Sequence, residues 1–129
     1  MANDEEIVNW PAEEIPPEHR LYMRVPRSYL GRNGAYLGAF RDQGGGMSTE
    51  WEKYSTPKEA RDRAKKPADN GVIVMIAGEV SAIPRLIVRH TPDVERRVRA
   101  HTDVLGPKDT EVRVKLSRIS RWVLGFELM

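Results

Sequence analysis

A chain of 129 residues without a single cysteine has room for one hydrophobic core, and it excludes disulfides, zinc–thiolate sites and cysteine nucleophiles together. With 40% hydrophobic and 31% charged residues it is polar for a globular protein yet far from the disordered regime, and its longest apolar run, Val72 to Ala77, is too short to span a bilayer. Six of the 19 acids lie in residues 1–18, which hold no Lys or Arg, so the other 111 residues carry 21 basic groups against 13 acidic ones, a balance of +8.

An acidic arm therefore precedes a basic body. Residues 1–18 contain Pro11, Pro16 and Pro17 and no apolar period, which predicts an arm lying on the surface or partly disordered, with Ile7, Val8 and Trp10 as its docking residues. The single domain is expected over 19–129. Asp4, Glu5 and Glu6 give the start the wrong charge for a signal peptide, so a cytoplasmic location and no membrane partner are expected.

From His19, Leu21, Met23 and Val25 alternate with Tyr22 and Arg24, the pattern of a half-buried strand ended by Pro26. Gly31 to Gly34 is a turn cluster, and Ala35 to Phe40 reads as a second short strand or as a buried connection. Phe40 to Glu59 then forms a special loop, in which Gly44, Gly45 and Gly46 precede Ser48, Thr49, Ser55 and Thr56. Thr56 as N-cap, Pro57 at the first helical position and Glu59 at the third predict a helix running to Lys66.

Asp69 to Gly71 is a turn, and the β-branched run Val72 to Ala77 predicts a central strand covered on both faces. Gly78 to Pro84 leaves space for one helical turn before a strand over Arg85 to His90, expected beside the preceding one. Pro92 to Ala100 reads as an exposed loop, and His101 to Gly106 returns to the body. Last, Val112, Leu116, Ile119 and Val123 recur at helical spacing, predicting an amphipathic helix from Asp109 to Leu124 whose opposite side carries Arg113, Lys115, Arg118 and Arg121. The whole predicts an α+β domain: a small mixed or antiparallel sheet of about four strands with two main helices.

Three constellations bear on function. The glycine loop could turn backbone N–H groups toward an anion, with Gly44, Gly45, Gly46, Ser48, Thr49 and Arg41 as phosphate-binding candidates, although no Walker lysine or dinucleotide fingerprint is present. In an extended segment His101 and Asp103 point the same way, so they are the candidate acid–base pair. With His90 they could in principle ligate a divalent ion, but no metal-ligand spacing supports it, and neither metal nor cofactor is expected. Arg113, Lys115, Arg118 and Arg121 are the candidate surface for nucleic acid or an acidic partner, without a spacing for sequence-specific DNA reading. Each has a bland alternative: a plugged loop, a surface histidine, a solvated helix face.

The strings Gly46 to Glu59, Asn70 to Ile73 and His101 to Gly106 resemble a group of small bacterial proteins sharing the pattern GMSTxWxKYSTPxE … HTDVxG, over roughly residues 20–123. The resemblance implies kinship and carries no activity with it. Charge balance favours a non-catalytic protein that binds nucleic acid or an acidic partner. One alternative is a small phosphodiester- or nucleotide-acting enzyme, such as a ribonuclease-like toxin, in which the glycine loop and His101 share one cleft; a variant uses Arg24, Ser55 and Glu79 as in ADP-ribosyl transfer. Another is an interaction or oligomeric module anchored by Trp10, Trp51 and Trp122.

Overall fold

The structure, a computed structural model, describes residues 9–31 and 33–126. Among them a six-stranded antiparallel sheet runs in the order β4-β5-β2-β1-β3-β6, with β1 at Arg20–Pro26, β2 at Met47–Trp51, β3 at Asn70–Ile76, β4 at Ile87–His90, β5 at His101–Leu105 and β6 at Arg121–Leu124. Three α-helices accompany it: α1 at Pro57–Asp62, α2 at Ala77–Ser81 and α3 at Thr110–Ile119. The domain is α+β, and it has two strands more than the four expected.

Side-chain alternation divides the sheet into two unlike faces. On one, Leu21, Met23, Val25, Met47, Trp51, Ile73, Met75 and Val104 form the main core with Val80 of α2 and Val112 and Leu116 of α3. On the other, Tyr22, Val72 and Val74 make a smaller cluster with Ala60 of α1. Beside that cluster the second face is polar, carrying Ser48 and Glu50 of β2 opposite Asp103 and His101 of β5.

The two additional strands arise where the sequence pattern misleads. The expected loop over 40–59 contains β2, whose buried Met47, Thr49 and Trp51 alternate with Ser48 and Glu50. Ala35 to Phe40, read as a short strand or a buried connection, is the connection: it holds a short 3-10 turn at Leu37–Ala39 and buries Ala39 and Phe40. The last helix stops at Ile119, because Ser120 turns extended (φ −99°, ψ 154°) and Arg121–Leu124 pairs with β3. Arg121 thus belongs to a strand, and Val123 is exposed rather than buried.

Helix α1 begins as expected, with the Thr56 hydroxyl accepting the Glu59 amide at 3.1 Å, but it ends at Asp62 because Ala60 is its one buried residue. Strands β3 and β4, expected as neighbours, lie on opposite sides of β1, β2 and β5, since α2 carries the chain across the main core between them. The first eight residues of the expected arm lie outside the described residues. The rest of it packs: Ile15 rests on the core, and Glu13 meets Lys53 at 2.7 Å, the Tyr54 hydroxyl, and Arg99 at 3.6 Å.

Candidate functional site

Strands β2 and β5 bring together residues 53 positions apart. Ser48 stands opposite Asp103 and Glu50 opposite His101, and the imidazole leans along the sheet so that its Nε2 lies 3.2 Å from Ser48 Oγ. The other ring nitrogen, Nδ1, is 2.9 Å from the Thr91 carbonyl and 3.0 Å from the Thr91 hydroxyl. A carbonyl oxygen only accepts, so Nδ1 carries the hydrogen. The Thr91 hydroxyl gives its own proton to Asp103 Oδ2 at 3.1 Å and is left to accept from Nδ1 as well.

This chain of bonds sets the tautomer. The Nε2 lone pair faces Ser48, in the position of a proton acceptor. Asp103 Oδ1 lies 3.9 Å from Nε2, is buried, and has no hydrogen-bond partner among the described residues. A proton arriving at Nε2 would sit on the side of the ring that faces that oxygen.

The pair opens on an outer cleft of about 810 Å³, lined by Gln43, Gly44 and Gly45 on one side and Thr91 to Arg96 on the other. Gln43, Ser48 and His101 also line an inner recess of about 140 Å³, which continues to Arg24, Tyr29, Arg41, Glu50 and Asn70. Glu50 is a buried carboxylate that accepts from the Arg63 guanidinium and from Ser55 Oγ at 2.7 Å, with the charge of Arg24 Nη1 3.5 Å away. Burial holds the Arg24 guanidinium below its usual pKa, with Glu50 opposing that effect.

Of the residues expected to bind an anion, the structure brings some to the cleft and turns others away. Gly44 needs its left-handed backbone (φ +79°), and the Gln43 amide closes the turn onto the Gly46 carbonyl at 2.7 Å. Gly46 lies hard against β5: a Cβ there would meet Leu105 Cδ2 at 2.9 Å and Asp103 Cβ at 3.1 Å. Packing explains this glycine without a ligand. A Cβ at Gly45 would lie 4.0 Å from the Asp103 carboxylate, so that edge of the turn faces negative charge.

Thr49 points to the opposite face, buried, and its hydroxyl donates to the Thr102 carbonyl at 2.9 Å. Arg41 lines the inner recess and stacks its guanidinium over the Tyr29 ring at 5.2 Å. Arg113, Lys115 and Arg118 lie on α3 and Arg121 on β6, away from both cavities, and Lys115 pairs with Glu111 at 3.6 Å. The expected single basic helical stripe is interrupted at Ile119.

Two other groupings do not assemble. His90 stands on the main-core face opposite Thr102, its Nδ1 accepting the Glu13 amide at 3.0 Å and its Nε2 donating to the Arg99 carbonyl at 2.7 Å. It cannot join His101 and Asp103 on a metal, and among the described residues no group of three His, Asp or Glu could hold one. Arg24 and Ser55 do meet, but at Glu50; Glu79 lines a separate depression with Arg118 and Arg121.

Sequence reasoning missed Thr91 and Glu50. Thr91 falls between the strand expected to end at His90 and the loop expected from Pro92, and nothing local marks its link to a histidine ten residues on. Glu50 was detectable in part, since the alternation of Met47, Thr49 and Trp51 implies a strand with Ser48 and Glu50 on its other face. In comparison with known proteins, the chain matches no family model, no curated protein and no solved structure.

Proposed function

We propose that the chain is a small acid–base enzyme acting on a phosphodiester or nucleotide, with His101 as the proton acceptor. One observation carries this: the Nε2 lone pair of an imidazole anchored through Nδ1 faces Ser48 Oγ at 3.2 Å, at the junction of two cavities. Such an arrangement removes a proton from a hydroxyl. In RNA that hydroxyl is the substrate's own 2′-OH: its proton passes to Nε2, the O2′–P bond forms, the P–O5′ bond breaks, and the departing oxygen takes a proton from the imidazolium. The products are a 2′,3′-cyclic phosphate and a 5′-hydroxyl.

The reading of the chain as a non-catalytic nucleic-acid binder rests on the +8 balance of its body, and the scattered placement of Arg113, Lys115, Arg118 and Arg121 gives it less support than the cleft gives to chemistry. A short mixed-sequence RNA carrying a fluorophore and quencher tests the proposal, with DNA of the same sequence alongside. Cleavage of RNA alone is expected, reduced about 100-fold or more in His101→Ala, the usual contribution of a positioned acid–base group. No turnover of RNA or of dinucleotides, or undiminished turnover in His101→Ala, would end it. Cleavage of DNA as well, abolished in Ser48→Ala, would instead make Ser48 the nucleophile.

A further inference from the structure

We infer that the inner recess beside His101, and not the glycine turn, is the seat of a phosphoryl group, held by Arg24 and Arg41. The inference rests on the acid–base reading for its purpose, but its measurement is independent of turnover.

Charge separates the two cavities. The outer cleft carries Asp93, Glu95 and Asp103 against Arg96, and Arg96 is already 3.9 Å from Asp93. An anion is repelled there. In the inner recess the cations are Arg24 and Arg41, and the one carboxylate, Glu50, is buried and already satisfied by Arg63 and Ser55. Arg41 has no carboxylate partner among the described residues and is braced only against Tyr29. Arg24 is partly desolvated, with Nη1 shared between the Ala60 carbonyl at 2.6 Å and the more distant Glu50.

A guanidinium offers a planar fork of donors that fits the oxygens of a phosphoryl group, and its attraction grows where water is excluded. Ser48 adds a hydroxyl. The volume, about 140 Å³, is well above the roughly 10–15 Å³ that one water needs on the same measure, so the recess has room for a phosphoryl group. With the phosphoryl group seated there, the nucleoside would extend into the outer cleft. Because Ser48 and His101 border both cavities, the anion would rest next to Nε2, where a hydroxyl attacking phosphorus must lose its proton.

The test is a titration of the ¹⁵N-labelled chain with inorganic phosphate, a nucleoside 3′-monophosphate and acetate at constant ionic strength, following backbone amides and arginine Nε signals. Phosphate and the monophosphate are expected to shift Arg24 Nε, Arg41 Nε and the Ser48 amide, and acetate to leave them in place. The exposed Arg41→Gln variant should weaken monophosphate binding about tenfold or more, and Lys58→Gln, on the exposed side of α1, should not. Equal shifts with acetate, shifts confined to residues 43–46 or to α3, or an unaltered affinity in Arg41→Gln would each overturn the inference. Arginine-dependent binding without any RNA cleavage would remove the proposed reaction and leave the recess standing; cleavage indifferent to Arg41→Gln would do the reverse.

Discussion

Thr91 is where a single side chain does most for the site, because its hydroxyl is the one donor to Asp103 among the described residues and its carbonyl anchors His101. Thr91→Val keeps the shape and the carbonyl but leaves the Asp103 carboxylate with neither oxygen bonded among the described residues, since Oδ1 has no partner there to begin with. The Asp103 side chain is 14% exposed, and losing a hydrogen bond to a charged group costs about 1.5–3 kcal/mol. Urea unfolding of Thr91→Val should show a loss in that range, and Thr91→Ser should restore most of it. Adding Asp103→Asn to Thr91→Val should cost less than the two separate losses together, because the amide brings its own donor into the gap. Strict additivity would mean that the Thr91–Asp103 bond contributes nothing.

At the scale of elements, the sequence showed what local chemistry dictates and hid what distant contacts dictate. The start of α1 was legible because Thr56, Pro57 and Glu59 satisfy its amides within one turn, and β1 and β3 because their apolar patterns match their burial. Thr56→Ala should accordingly cost about 1 kcal/mol, read by thermal unfolding. Strand β2 was masked by the glycines that precede it and by its own two hydroxyls, which look like loop chemistry although Ser48 faces a polar sheet surface and Thr49 is buried in the core. Of the site, His101 and Asp103 were legible as a pair, whereas their meeting with Ser48 depends on β2–β5 register.

Strand β6 was hidden for a different reason: Val112 to Val123 keeps a helical period through residues that are not helical. The period is overruled by Trp122, whose ring lies over Gly71 and packs edge-on against Tyr36, 5.0 Å between centroids. A Cβ on Gly71 would stand 2.6 Å from Trp122 Cζ3 and 3.0 Å from the Leu124 carbonyl. Gly71→Ala must therefore push β6 off β3, at a cost of about 1–3 kcal/mol if the strand shifts without leaving. Red-shifted tryptophan emission and faster amide exchange over 121–124 are the expected signs, with exchange in β1 and β2 unchanged. Equal acceleration in β1 and β2 would show that β6 is not a separable edge.

For the whole molecule, the largest question is what residues 9–18 add to a domain that already has its core. Their Glu13 carboxylate sits among Lys53, the Tyr54 hydroxyl and Arg99, and the same residue's amide donates to His90, the neighbour of Thr91. The hydrogen bond from Lys53, and next that from Tyr54, hold Glu13 below its ordinary pKa of 4.5, and Glu13 in turn raises Lys53 above 10.5. A lowered carboxylate stabilises the docked state above its ordinary pKa and ceases to as pH falls through the folded value; a raised lysine does so below 10.5 and ceases as pH rises through its own. The clasp should thus be constant from about pH 6 to pH 9 and fail toward either extreme. Further along, the segment is fixed by bonds that do not titrate: Gly78 donates to the Pro17 carbonyl at 2.7 Å, Ala77 donates to the His19 carbonyl at 2.8 Å, and Ile15 is seated on the core. Acid should therefore peel the segment from its N-terminal side and stop near Ile15. Hydrogen exchange at neutral pH, comparing the native chain with Glu13→Gln, separates the halves: the amide at position 13 should exchange faster in the variant, while those of Ala77 and Gly78 keep their protection. Loss of protection at Ala77 and Gly78 as well would mean that the carboxylate, and not the apolar contact of Ile15, holds the whole segment to the sheet.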